Sequence, residues 1–199
     1  MNKEQLMGKI TSSKDLIVWL LYAKGHHGQQ CEPIRGRTRL MKMIFLFAKE
    51  IRRKFNLDKD FPEEALPVFT AYDFGPFSAQ VYSDLDFLIN LEFVEARPVK
   101  EPLSEESASE DFHWQTLSDS ADPNEKQEEE FFLTERGRRF VENGRIGELS
   151  ATQMAVLDEF KARCTAASLK SILRYVYKKY PKYASESKIR EEILSEDEF

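Results

Sequence analysis

His26, His27 and Cys31 fall within six positions, the nearest this 199-residue sequence comes to metal-ligand spacing. A structural zinc ion takes four ligands. No Cys-x-x-Cys and no second ligand pair accompanies these three, so the segment reads as a solvated loop and no metal is expected. His113 has no partner residue nearby in sequence. Acid pairs such as Glu105-Glu106 stand in a Ser- and Glu-rich stretch that cannot hold the fixed geometry of general acid–base catalysis. The sequence contains no Gly-rich phosphate loop, no dinucleotide fingerprint and no Gly-x-Ser-x-Gly elbow. The expectation is a non-catalytic chain without a cofactor.

Binding chemistry is better represented. Between Arg35 and Lys54 eight basic residues face one acid, Glu50, a local charge of +7. On a helical wheel Arg39, Lys42, Lys49 and Arg53 share one sector, opposite an apolar stripe of Leu40, Ile44, Phe47 and Ile51. Arg35 and Arg37 sit at the start of that helix, where unpaired N–H groups also favour an anion. This face is a candidate phosphate-backbone contact. A second basic block runs from Lys161 to Arg190, nine bases against Glu186. Lys170, Arg174 and Lys178 line one side of a helix, with Tyr175, Tyr177, Tyr180 and Tyr183 interleaved. Such tyrosines suit stacking on nucleic acid, and also helix packing, core tyrosines being the commoner case.

Between the two blocks the sign reverses. Residues 60–96 contain eight acids and no Lys, Arg or His, and residues 101–130 carry eleven acids against Lys126. The helix within the first stretch turns Gln80, Ser83, Asp84, Asp86, Phe87 and Asn90 outward. Acids there repel phosphates, so Gln80, Ser83, Phe87 and Asn90 make a candidate protein-binding face, the alternative being burial of Phe87 under the C-terminal helices. The whole-chain net charge of −6 thus conceals blocks of opposite sign.

Periodicity and punctuation supply the elements that must position these residues. Helices are expected over 13–25, 37–55, 78–91, 134–143, 151–166, 168–180 and 186–196. Strands are expected over 68–73, 93–99 and 129–134. Residues 25–36 and 101–128 read as loops, the second long and acidic. With 41% hydrophobic residues and 15 Phe the chain has material for a core. No apolar run is long enough to cross a membrane, and two cysteines are too few for a disulfide framework. A cytoplasmic location with no membrane contact is expected.

Four pieces then stand in order. Arg39-Leu40-Met41-Lys42 opens the second helix with a hydrophobic run behind it. Tyr72-Asp73-Phe74-Gly75-Pro76-Phe77-Ser78 ends a strand, Val81-Tyr82-Ser83-Asp84-Leu85 sits on the next helix, and Leu133-Thr134-Glu135-Arg136-Gly137 closes a strand. Together, over roughly residues 13–143, they resemble the small bacterial winged-helix proteins typified by YwgA. They are similar, more distantly, to the Panacea domain of SocA-like antitoxins. The resemblance implies a winged helix-turn-helix fold, a regulatory or partner-binding role and no catalytic residues. The expected architecture is thus α+β and mostly helical. A winged-helix domain over 1–145, with 101–128 as its acidic wing loop, precedes an all-α extension over 146–199. The leading expectation is DNA contact through Arg35, Arg37, Arg39, Lys42, Lys49, Arg53, Lys170, Arg174 and Lys178. The alternative is a protein-binding adaptor or antitoxin-like neutraliser. Winged-helix regulators often pair, so a homodimer fits either reading.

Overall fold

A computed structural model describes residues 12–99, 129–144 and 149–195. Helix α1 (Ser13–Tyr22) starts from a reciprocal capping box between Ser12 and Asp15. Its residues from Leu16 to Leu21 are all buried, so α1 is a core helix rather than a surface one. The following loop ends in a two-residue strand, β1 (Ile34–Arg35), inside the segment that the sequence assigns wholly to loop. Helix α2 (Arg37–Leu46) follows, widens into one π-helical turn (Phe47–Ile51) and finishes as α3 (Arg52–Lys54). The predicted helix over 37–55 is therefore continuous in space, with one change of hydrogen-bond register inside it.

The predicted strand over 68–73 is instead the first half of a hairpin, β2 (Thr70–Tyr72) and β3 (Gly75–Phe77). Tyr72 pairs with Gly75 across a two-residue turn. Gly75 has φ +86, and a Cβ there would come 2.6 Å from Cε1 of the buried Tyr177. Both its backbone and its neighbour therefore demand glycine. Helix α4 (Ala79–Asn90) leads to β4 (Val94–Pro98), which pairs antiparallel with β5 (Glu129–Leu133), Val94 opposite Leu133. On its other edge β5 pairs with β1, Ile34 opposite Phe131, giving the sheet order β1-β5-β4.

Thr134 caps α5 (Glu135–Glu142), its hydroxyl accepting the Gly137 N–H at 3.1 Å. Helix α6 (Ala151–Ala166) has a Ser150/Gln153 capping box, and Ser168 caps α7 (Leu169–Lys179). A 3₁₀ turn (Pro181–Ala184) leads to α8 (Arg190–Leu194), shorter than the predicted 186–196. The architecture is α+β and mostly helical, as expected. No described helix is long and apolar enough to cross a membrane. The acidic stretch 101–128 lies outside the described residues.

One buried cluster runs from α1 to α8, and α2 is at its centre. Ten consecutive residues, Thr38 to Phe47, are buried, with α6, α7, β1 and β3 packed around them. Phe45 meets Phe69, Tyr180 and Tyr183 edge-on at centroid distances of 5.2, 5.1 and 4.9 Å. Each such ring gives about 1.5–3 kcal/mol on burial. A helix enclosed on all sides has no solvent face, and that decides the fate of its cations.

Candidate functional site

Arg39 and Lys42, expected to head an exposed basic face, are 4% and 3% exposed. Arg39 points at the C-terminal end of α6. Its Nη1 donates to the main-chain oxygen of Cys164 at 2.7 Å and to that of Ala167. Helix ends leave carbonyls without intrahelical partners, and the two N–H groups of one guanidinium nitrogen satisfy two of them at once. Lys42 Nζ donates to the Pro76 oxygen at 3.0 Å, tying α2 to the β2–β3 hairpin. These are structural cations, and their assignment to an open DNA-binding face is corrected on this ground. The helical wheel placed them opposite the apolar stripe correctly. The opposite side is covered too.

Other members of the expected basic surface are dispersed. Arg37 is half-buried, bridging Asp86 of α4 at 2.8 Å and Glu129 of β5 at 3.1 Å, and so locking α4 to the sheet. Its guanidinium also lies over the Tyr82 and Phe131 rings at 5.7 and 5.6 Å. Arg35 is half-buried in β1, opposite Glu130. Arg174 Nε donates to the Ile193 oxygen at 3.0 Å, satisfying the end of α8. Lys170 is half-buried beside it on α7, whereas Lys49, Arg53 and Lys178 are exposed. Lys49 extends over the Tyr183 ring at 5.5 Å. The nine cations do not form one open plane.

Of the interleaved tyrosines, Tyr177 is buried, Tyr180 and Tyr183 are half-buried, and Tyr175 is exposed. Tyr177 is buried against Gly75, and its hydroxyl shares a 2.8 Å hydrogen bond with Ser187. Burial pushes its phenol up to about 12. Glu50, the single acid of the first basic block, is a hub in the π-helical turn. It accepts from Tyr175 at 2.9 Å, Lys179 at 2.8 Å and Tyr180 at 3.0 Å. Partial burial and then the Glu50 carboxylate push Tyr180 up to about 12. The packing reading holds for Tyr177, whereas Tyr175 keeps an exposed ring.

The outward face of α4 is largely as expected. Ser83, Asn90 and Phe87 are exposed, Phe87 to 47%. Leu91 adds a second exposed apolar side chain at the end of the helix. Gln80 is exposed but reaches back to the Ser13 hydroxyl at 3.2 Å. Asp84 is the exception, being buried rather than outward. It pairs with Lys14 at 2.8 Å and accepts from the Ser13 hydroxyl, so it fastens α4 to α1. Lys14 Nζ stands 5.2 Å from the centre of the Phe87 ring, leaving the opposite part of the ring to solvent.

Two polar groups of the core carry no clear label in the sequence. Lys161 is 0% exposed, and its ammonium donates to the main-chain oxygens of Leu21 at 3.0 Å, Ala23 at 2.8 Å and Glu32. Burial lowers it to about 8, against the pull of Glu32 and Asp158. Glu32, 7% exposed, fills the space where a Cβ on Gly25 would stand. The one available signal for Lys161 is its spacing, since Leu157, Lys161 and Cys164 fall on one helix face. The carboxylate of Glu32 and the two histidines are brought together by the fold, whereas Cys31 is not part of that cluster. No family model, curated protein or solved structure matches the chain.

Proposed function

We propose that this chain is a non-catalytic regulatory module of winged-helix type that binds a partner protein through the outward face of α4. The order helix, strand, helix, helix, strand, strand, with the sheet order β1-β5-β4, supports the winged-helix reading. In it α4 takes the recognition position and the β4–β5 hairpin is the wing. The inserted β2–β3 hairpin is an addition to that plan. The observation that carries the proposal is Phe87, a half-exposed ring on a helix with no cation, amid Ser83, Asn90 and Gln80. An aromatic anchor ringed by short hydrogen-bonding side chains fits an apolar pocket with a polar rim on a partner protein. Arg39 and Lys42, the centre of the expected DNA contact, are engaged in holding the core.

The test places a photo-crosslinkable phenylalanine at position 87 and, as control, at the exposed position 171 in the native host. A discrete adduct at 87, missing at 171 and reduced by Asn90→Ala or Ser83→Arg, is expected. An adduct pattern identical at both positions refutes the proposal. The rival reading, DNA contact, rests on the exposed Lys49, Arg53 and Lys178. Duplex binding that falls with salt, and whose salt slope drops in Lys49→Glu/Arg53→Glu, would favour it instead.

A further inference from the structure

The loop between α1 and β1 brings two imidazoles and a carboxylate to one point. One potential ligand atom from each of His26, His27 and Glu32 lies within 4.8 Å of the others. His26 Nδ1 is 2.9 Å from Glu32 Oε1. Two ligand atoms across a tetrahedral zinc ion are about 3.3 Å apart, given bonds of about 2.0–2.1 Å. The His26 and His27 rings, although adjacent in sequence, are turned to the same side with centroids 3.7 Å apart. We propose that His26, His27 and Glu32 form a binding site for a divalent transition-metal ion of the zinc class, with further coordination positions open to solvent.

Three features separate this cluster from a chance meeting of surface side chains. First, the carboxylate is buried while the imidazoles are exposed, so one ligand is held by the protein and the other two face solvent beside it. Second, the backbone is shaped to the carboxylate. Glu32 Oε2 accepts the His27 N–H at 3.0 Å, and only glycine at position 25 leaves space for it. Third, the loop is anchored at several points. The His26 N–H donates to Thr165 Oγ1 at 3.1 Å, the Cys31 N–H to the Tyr22 oxygen at 3.1 Å, and Lys161 grips the Glu32 oxygen. An ion binding here would meet donors already gathered, so little ordering entropy opposes it. Two nitrogens and one carboxylate oxygen match a borderline cation rather than calcium or magnesium, which take oxygen ligands. Cys31, the residue grouped with the two histidines by sequence, is outside this cluster, and Glu32 stands in it.

The untagged full chain is titrated with zinc chloride at pH 7.5 by calorimetry, and with cobalt chloride followed by visible absorption. One ion per chain is expected, with a cobalt d–d spectrum and a rise in melting temperature with added zinc. His26→Ala and His27→Ala each weaken binding by about tenfold or more, Glu32→Gln weakens it likewise, and Cys31→Ser leaves it unchanged. Both histidines are exposed, so their variants test the site even where Glu32→Gln perturbs the loop. No one-to-one binding, binding retained in His26→Ala/His27→Ala, or binding lost in Cys31→Ser would each overturn the proposal. None of these outcomes bears on the α4 surface.

Discussion

Replacing Arg39 by Met removes a buried guanidinium and leaves the main-chain oxygens of Cys164 and Ala167 without their donor. A hydrogen bond to a charged group contributes about 1.5–3 kcal/mol, so the pair is worth about 3–6. Met returns about 1–2 kcal/mol through its own burial and the avoided cost of desolvating a charge. The net loss is about 3 kcal/mol. For a chain of this length 1 kcal/mol corresponds to about 2–4 °C, so the melting temperature should fall by about 6–12 °C. Arg39→Lys keeps the charge but not the reach and planar donor geometry of the guanidinium, and should fall between wild type and Arg39→Met. Arg53→Met, on the exposed end of the same helix, should stay within about 0.5 kcal/mol. The assay is thermal melting by circular dichroism together with urea unfolding. If Arg39→Met melts with Arg53→Met, the assignment of Arg39 as a core strut is wrong. The same reasoning governs DNA-binding experiments. A charge reversal at Arg39 or Lys42 would abolish binding by unfolding the centre of the molecule, so a DNA test belongs at Lys49 and Arg53.

Alkaline stability should report Cys164, whose thiol burial pushes up from 9.0 to about 12. Between these values the unfolded chain gives up the proton and the folded chain keeps it, so stability falls as pH rises. From pH 9 to 10.5 this one group removes about 2 kcal/mol; urea unfolding of Cys164→Ala should show a correspondingly flatter profile, and an unchanged slope contradicts the assignment. Gly75→Ala should cost about 2–4 kcal/mol, since it combines a positive φ with a displaced buried Tyr177, and an unshifted urea midpoint would disprove that contact. Glu50→Gln should lower the Tyr180 phenol from about 12 while leaving it above the ordinary 10, because burial persists when the carboxylate charge is gone. Phenolate absorption near alkaline pH measures this, and an unmoved titration would remove Glu50 from the account.

If the α4 surface holds a partner, the molecule divides its cations by task. Arg37, Arg39 and Lys42 join sheet, helix end and hairpin to one central helix, and Lys161 ties α6 to the end of α1 and the loop after it. The outward helix keeps its polar groups short and its one ring open.

Local chemistry was readable from the chain itself. The span of α6, the cap at Thr134 and the stretch of α4 follow from helical spacing and side-chain oxygens, which act within a few residues. Leu40, Ile44, Phe47 and Ile51 were readable as the inward stripe of the second helix, but the same spacing set Arg39 and Lys42 on an open sector opposite it. What surrounds that helix was settled by packing between distant segments. A charge pattern along a chain has the same form for a solvated face and for a set of buried struts. The difference lies in whether a carbonyl from residue 164 or residue 76 arrives to accept the proton, and no local rule carries that. The loop cluster obeys the same physics. His26 and His27 were visible as neighbours, but their union with Glu32 depends on Gly25 and on the grip of Lys161, more than a hundred residues away.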